Sequence, residues 1–261
     1  MFSFFKKGSE KESVKIVAKE AVACEYNNIQ PIADYFYKQT GITFESQMSI
    51  LKSKVSSFAK QREIYSFEEL LKLIKIKAIL KQELIDTLTT NETYFYREFN
   101  QVKELVQLVK ETKEKVKILC APCATGEEPY SMTIALLEEG VSADKFSIVG
   151  IDINKEALEQ AKQGKYTQRH IRNLSEALLQ KYFTEKNQIY IINQNIKDLV
   201  HFEKANIFDD SFKNLGKFDF VFSRNMLIYF DKETKNKAKN ILQSMRKREE
   251  FPVFFGHADL F

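Results

Sequence analysis

The stretch Lys117-Ile118-Leu119-Cys120-Ala121, followed by Pro122-Cys123-Ala124-Thr125-Gly126-Glu127-Glu128-Pro129-Tyr130-Ser131, constrains this chain more than any other. An apolar strand, a turn with one glycine and a helix opening on proline make a βα unit of the kind that seats a cofactor at the helix N-terminus. The turn carries two carboxylates and no lysine or arginine. Phosphates favour such a position, because free backbone N–H groups and the helix dipole meet them there, and a Glu-Glu pair would repel them. A cation suits it better than NAD or ATP. S-adenosylmethionine has no phosphate and carries a sulfonium and an α-ammonium, so a carboxylate at the turn gains a charge-assisted hydrogen bond worth roughly 1.5 to 3 kcal/mol. Farther along, the strand-like residues 146–151 end on Asp152, where the acidic residue of such folds takes ribose hydroxyls.

From residue 115 onward, short apolar runs alternate with helical spacing. The pattern predicts strands at 116–121, 146–151, 200–205, 218–222 and 253–255, and helices at 129–138, 155–163 and 232–246. Such alternation implies an open, mostly parallel α/β sheet, Rossmann-like, with its ligand outside the carboxyl ends of the strands. That edge receives Glu128, Asp152, Asn206 and Ser223-Arg224-Asn225. Between 168 and 205 the alternation lapses. A helix over 175–183 and strands over 188–192 and 200–203, joined by polar 193–198, predict a small antiparallel insert at about 184–204. The first part of the chain has helical spacing at 13–24, 31–39, 44–60 and 67–80, with Pro31 suited to a first helical position and Gly41 to the residue past a helix end. The expected division is a helical domain over 1–83, a linker over 84–97 that contributes to the cofactor site, and an α/β domain over 98–261.

With 40 basic against 36 acidic side chains, the net charge of +4 gives no indication of nucleic acid binding. Residues 2–5 are too short for a signal-peptide core, and no apolar run reaches the ~20 residues needed to span a bilayer, so a soluble, cytoplasmic protein without membrane insertion is expected. Three cysteines exclude a disulfide framework. Cys120 and Cys123 form a C-x-x-C at a strand end, where a thioredoxin-like motif would sit, but the neighbouring glutamates should raise rather than lower a thiol pKa. Without a second C-x-x-C, and with His170, His201 and His257 isolated, no metal site is expected. Lys72, Lys75, Lys77 and Lys81 interleave with Leu71, Leu73, Ile74, Ile76, Ile79 and Leu80 as an amphipathic helix, read as a solvated face over a core or as a docking surface for an acidic partner.

Taken together, Thr90-Asn91-Glu92-Thr93-Tyr94-Phe95-Tyr96-Arg97, residues 124–131, Asp152-Ile153-Asn154, residues 218–231 and Phe255-Gly256-His257-Ala258 resemble the chemotaxis receptor glutamate O-methyltransferases, the CheR family. The resemblance runs in order over residues 30–261. It implies a helical N-terminal domain before an S-adenosylmethionine-dependent methyltransferase domain with a β insert, and esterification of glutamates on the cytoplasmic parts of methyl-accepting chemoreceptors, with S-adenosylhomocysteine as product and recruitment to receptor arrays. Carried over by position, Asn91, Thr93 and Arg97 close over the cofactor, Glu128 holds its ammonium and Asp152 its ribose. Asn206 and Ile207 flank the adenine, while Ser223, Arg224, Asn225 and Tyr229 line the methyl-transfer side; Arg97 and Tyr229 would be the catalytic pair.

Two departures stand out. A Pro-Gly-Gly-like turn usual in the family is replaced by residues 246–252, and the sheet is expected to be one strand short at its end. Residues 182–188, where some members carry a glycine-containing loop that grips a receptor C-terminal peptide, have no glycine, so no such tether is expected. A nucleic-acid methyltransferase on the same fold would be expected to show a Pro-Pro-aromatic turn where Ser223-Arg224-Asn225 stands. An adaptor that binds the cofactor without turnover is the other rival; intact Asn91, Arg97, Glu128 and Tyr229 argue against such decay, and turnover would decide it.

Overall fold

The computed structural model describes residues 25–259, so the helix expected over 13–24 and the last residues of the expected C-terminal edge lie outside the described residues. Helix α1 (Gln30–Thr40) has Pro31 in its first turn and stops at Gly41, whose N–H donates to the Tyr37 carbonyl. It packs Ile32 and Phe36 against Leu51, Val55 and Phe58 of α2 (Met48–Lys60), residues spaced to share one helix face. Helix α3 (Phe67–Ile76) is capped by Ser66, whose hydroxyl accepts from the Glu69 N–H, with Glu68 and Glu69 in the dipole-favoured first turn.

The helix expected over 67–80 breaks at Lys77, which is extended (φ −104, ψ 98), and α4 (Ala78–Leu88) starts directly after it. The break interrupts the helical phase. Ile76 and Ile79, expected on the core face, are therefore 76% and 78% exposed, while Leu70, Ile74, Leu84 and Leu88 hold the core. Helix α4 also takes up residues 84–88, so only the stretch over 89–98 before α5 (Phe99–Glu111) crosses the site as extended and turn structure.

The second core surrounds a parallel sheet. Its strands are β1 (Val116–Cys120) and, after α6 (Glu127–Glu138), β2 (Phe146–Asp152), followed by α7 (Lys155–Gln163). The insert contributes β3 (Lys165–Tyr166), α8 (Gln168–Ile171), α9 (Glu176–Tyr182), β4 (Phe183–Lys186), β5 (Ile189–Ile192) and α10 (Gln194–Lys197). The sheet resumes with β6 (Val200–Lys204) and β7 (Phe220–Ser223), then α11 (Lys232–Ser244) and β8 (Val253–Phe255). Neighbours run β6-β2-β1-β7-β8, all parallel. Alternate residues fill opposite faces: Val116, Ile118 and Cys120 pack with α5 and α6, Leu119 and Ala121 with Ala238 and Leu242 of α11. Burial on both faces explains why these strands read as continuous apolar runs.

Val200–Lys204, read from the sequence both as a sheet strand and as part of the insert, lies wholly in the parallel sheet, in register with β2 from Ile148↔Val200 to Asp152↔Lys204. The insert is instead the antiparallel set β3-β5-β4 spanning 165–192. Two-residue β3 is too short to show a period in sequence. Asn187 and Gln188, both left-handed (φ 52 and 62), close the β4–β5 hairpin as a tight two-residue turn.

Candidate active site

The chain order reverses between β1 and β7, which makes their carboxyl ends the switch point where ligands of such sheets bind. Two adjoining cavities open there. The first, of about 220 Å³, is lined by Asn91, Asp152, Asn206, Ile207, Asn225 and Tyr229. The second, of about 210 Å³, is lined by Thr93, Arg97, Glu128 and Arg224, and shares Asn225 and Tyr229 with the first. Ser223 is the one predicted site residue that lines neither; it ends β7 fully buried beneath them.

Glu127 and Glu128 separate because successive helical residues point about 100° apart. Glu128 faces the second cavity. Its Oε2 lies 3.5 Å from Arg224 Nε, and its buried Oε1 has no hydrogen-bond partner. Burial raises its carboxyl pKa, with the Arg224 guanidinium opposing. Glu127 turns inward, fully buried. Thr125 Oγ1 donates to one carboxylate oxygen at 2.7 Å, the other is unpartnered with His170 Nε2 3.8 Å away, and burial pushes the pKa up to about 7. Gly126, left-handed (φ 91), starts this helix, and a Cβ there would come within 2.8 Å of Ala161 Cβ. Its smallness thus serves the packing of α6 on α7 rather than the ligand.

Asp152 ends β2 beside the first cavity. Its Oδ2 accepts from Ala124 N at 2.9 Å and its Oδ1 from Asn154 N at 2.8 Å, while burial raises its pKa to about 6 against those bonds. The alternative role as N-cap of α7 belongs to Asn154, whose Oδ1 accepts from Ala157 N. Each Asp152 oxygen keeps a second lone pair for a hydroxyl donor. The Asn206 amide is already engaged: Nδ2 donates to Gln39 O at 2.8 Å and Oδ1 accepts from Phe208 N at 3.1 Å. Its side chain holds α1 onto the sheet edge.

Arg97 stands in an exposed-to-buried gradient, its NH1 donating to Glu92 O at 3.2 Å, with only a 4.0 Å approach to Glu98. Arg224, with a side chain 1% exposed, donates to the carbonyls of Arg97 and Glu98. It ties the segment before α5 to Glu128. Cys120 and Cys123 are free and buried, and burial raises both thiols well above their usual pKa, with Glu128 and Asp152 adding to the shift; they pack.

Sequence reasoning missed the contribution of the N-terminal helices. Residues 40–54, including Thr43, Phe44 and Ile50, line the first cavity, and Thr43 N donates to Tyr229 O at 3.0 Å. Asp86 accepts from Lys155 N at 2.7 Å, and Gln82 Nε2 donates to Ile153 O at 2.8 Å, fastening α4 beside Asp152. Amphipathic spacing marks which face of a helix is buried, not against what.

The expected cofactor fits these residues. The orphaned Glu128 oxygen calls for a donor such as an ammonium, Asp152 has acceptor capacity for ribose hydroxyls, and Ile207 offers an apolar wall. The family described as CheR methyltransferase, SAM binding domain, matches residues 91–261. The chain is 38% identical over 224 residues to a chemotaxis protein methyltransferase of Campylobacter jejuni, covering 85% of this chain and 84% of that protein. It is also similar to a chemotaxis protein methyltransferase of Borreliella burgdorferi (31% over 239 residues, 85% and 84% covered) and to chemotaxis protein methyltransferase 2 of Vibrio cholerae (34% over 240 residues, 87% and 83% covered). With the switch-point cavities, their paired carboxylates and these matches in accord, the chain belongs to the CheR methyltransferase family, and S-adenosylmethionine is its cofactor.

Proposed function

We propose that the protein methylates glutamate side chains on the cytoplasmic domains of methyl-accepting chemoreceptors, forming glutamate methyl esters as a protein-glutamate O-methyltransferase, and acts in the cytoplasm at receptor arrays. The observation that carries this reading is Glu128, a buried carboxylate with an unpartnered oxygen, on the wall of a cavity that Arg97 and Tyr229 also line. The names of the similar proteins point the same way. No described helix is long and apolar enough to cross a membrane.

A glutamate carboxylate, with an ordinary pKa near 4.3, is already an oxygen nucleophile at neutral pH, so no general base is required. Bound in the cavities, S-adenosylmethionine supplies an electrophilic methyl. Glu128 would hold the ammonium and Asp152 the ribose. Arg97, whose guanidinium keeps donors beyond its single bond to Glu92 O, would orient the incoming carboxylate, and Tyr229 would hold it from the other wall. Orientation of this kind can supply on the order of 7 kcal/mol of the barrier. The Ser223-Arg224-Asn225 turn after β7, lacking the aromatic turn expected for amino-group acceptors, favours a carboxylate acceptor over a nucleobase.

The test is transfer of labelled methyl from S-adenosylmethionine to receptor-rich membranes. Label that is released by mild base is expected; label stable to base would mark an amine or amide product and overturn the reading.

A further inference from the structure

The turn that closes β8 performs a task outside the cofactor contacts. Asp259 is fully buried, and its carboxylate accepts from three backbone N–H groups: Asn225 N at 2.6 Å and Gly256 N at 3.1 Å on Oδ2, and Leu227 N at 2.8 Å on Oδ1. Two of these donors belong to the loop that follows β7. Asn225 there is left-handed (φ 59), a conformation that asparagine tolerates better than most residues and that the two bonds to Asp259 hold in place. The loop continues into a 3-10 turn, Leu227–Tyr229, which places Tyr229 on the wall common to both cavities. The same β8 turn reaches the opposite wall. His257 N donates to Glu98 Oε2 at 3.2 Å, and Gln101 Nε2 donates to Phe255 O at 2.7 Å, next to the segment that carries Arg97.

We propose that Asp259 is a positioning residue for methyl transfer: its carboxylate, by gathering the N–H groups of Asn225 and Leu227, fixes the turn that carries Tyr229 into the cavity wall it shares with Arg97. A short buried carboxylate does this better than packing, because hydrogen bonds to a charged acceptor are directional and about twice as strong as neutral ones. It bonds neither Glu128 nor Asp152, so its loss should reach turnover far more than binding, with Asn225, which lines both cavities, carrying whatever share falls on the cofactor. The proposal rests on the reading of Tyr229 given above.

The test is a double-mutant cycle of Asp259→Asn and Tyr229→Phe, read as kcat, KM and S-adenosylhomocysteine affinity. Asp259→Asn keeps the shape but sets an NH2 against N–H donors. It is expected to lower kcat at least about tenfold, as displacement of a catalytic group by a fraction of an ångström does. Cofactor affinity should stay within about twofold, and the double variant should be no slower than Tyr229→Phe alone, the signature of two residues acting through one interaction. Gly256→Ala probes the same contact without touching Asp259, since a Cβ there would lie 2.9 Å from Asn225 N and 3.1 Å from Asp259 Oδ2; it should give the same kcat-selective loss even if Asp259→Asn does not fold. Multiplicative losses in the cycle, or cofactor affinity falling in step with kcat in Gly256→Ala, would overturn the proposal. If Tyr229→Phe slows the reaction but Asp259→Asn does not, this proposal falls alone; if Tyr229→Phe turns over at full rate, the reading of the site falls with it.

Discussion

Neighbouring glutamates on one helix turn carry different electrostatic fates. Glu128 lines the second cavity and has a buried oxygen without a partner, so Glu128→Gln should weaken S-adenosylhomocysteine binding by roughly 1.5 to 3 kcal/mol, the value of a charge-assisted bond. Asp152→Asn is the milder partner experiment, because it keeps an acceptor for one of Ala124 N and Asn154 N and sets its NH2 against the other, whereas alanine would orphan both. Calorimetry giving wild-type affinity in both variants would remove the cofactor assignment. The raised carboxyls also set a pH signature. Asp152, raised by burial from 3.8 to about 6, binds a proton more tightly folded than unfolded, so its contribution to stability is full below its unfolded pKa and is lost as pH rises through about 6; Glu127 behaves likewise from 4.5 to about 7. Glu127→Gln should therefore stabilise the protein at pH 7.5 and do little at pH 5, measured by thermal unfolding. A stabilisation that is independent of pH would show that Glu127 is not held neutral. That Glu128 and Asp152 would lie at the carboxyl ends of the strands, where they line the cavities, was legible from charge and spacing; that Glu127 would be swallowed was not, since adjacency in sequence conceals the turn of the helix.

At the scale of elements, what sequence made plain were the strongly periodic pieces: α7 falls on residues 155–163, β8 on 253–255, and Asp152 on the end of β2. What it hid depended on contacts far along the chain. The Lys77 break precedes α4, which bonds Ile153 through Gln82, and Val200–Lys204 pairs with β2, burying Val200 and Phe202 in the sheet core. Arg224, expected on the methyl-transfer side, lines the second cavity and in addition bonds the backbone carbonyls of Arg97 and Glu98, a use that no motif announces. The α6 N-terminus offers a direct test of how an element carries a site residue. Gly126→Ala forces a Cβ against Ala161 in a left-handed conformation and should cost about 1 to 3 kcal/mol of stability. Since Glu128 rides on the same turn, cofactor affinity should fall with it. Denaturant unfolding that shows an unchanged midpoint would mean the α6–α7 contact is looser than its geometry indicates.

Across the whole molecule, the helical N-terminal part closes one side of the first cavity and also carries exposed lysines at the end of α3, which suits the proposed receptor substrate. On α3, Lys72 is paired with Glu68 at 2.8 Å, whereas Lys75 and Lys77 are exposed and bear no ion pair among the described residues, beside the uncovered Ile76 and Ile79. The insert offers a poor alternative handle, because its β4–β5 hairpin closes on Asn187 and Gln188 with no glycine to admit another backbone closely. The reading that follows is that receptors are engaged directly on their acidic methylation helices rather than through a C-terminal peptide. Long-range attraction of this kind acts mainly on association and is screened within about 10 Å at 0.1 M salt. Reversing charge at Lys75 and Lys77 should therefore slow receptor methylation, with the deficit shrinking as salt rises, while S-adenosylhomocysteine affinity stays intact. Tight binding of an isolated receptor C-terminal peptide, abolished by changes in the 183–192 hairpin but indifferent to the lysines, would place recognition on the insert instead.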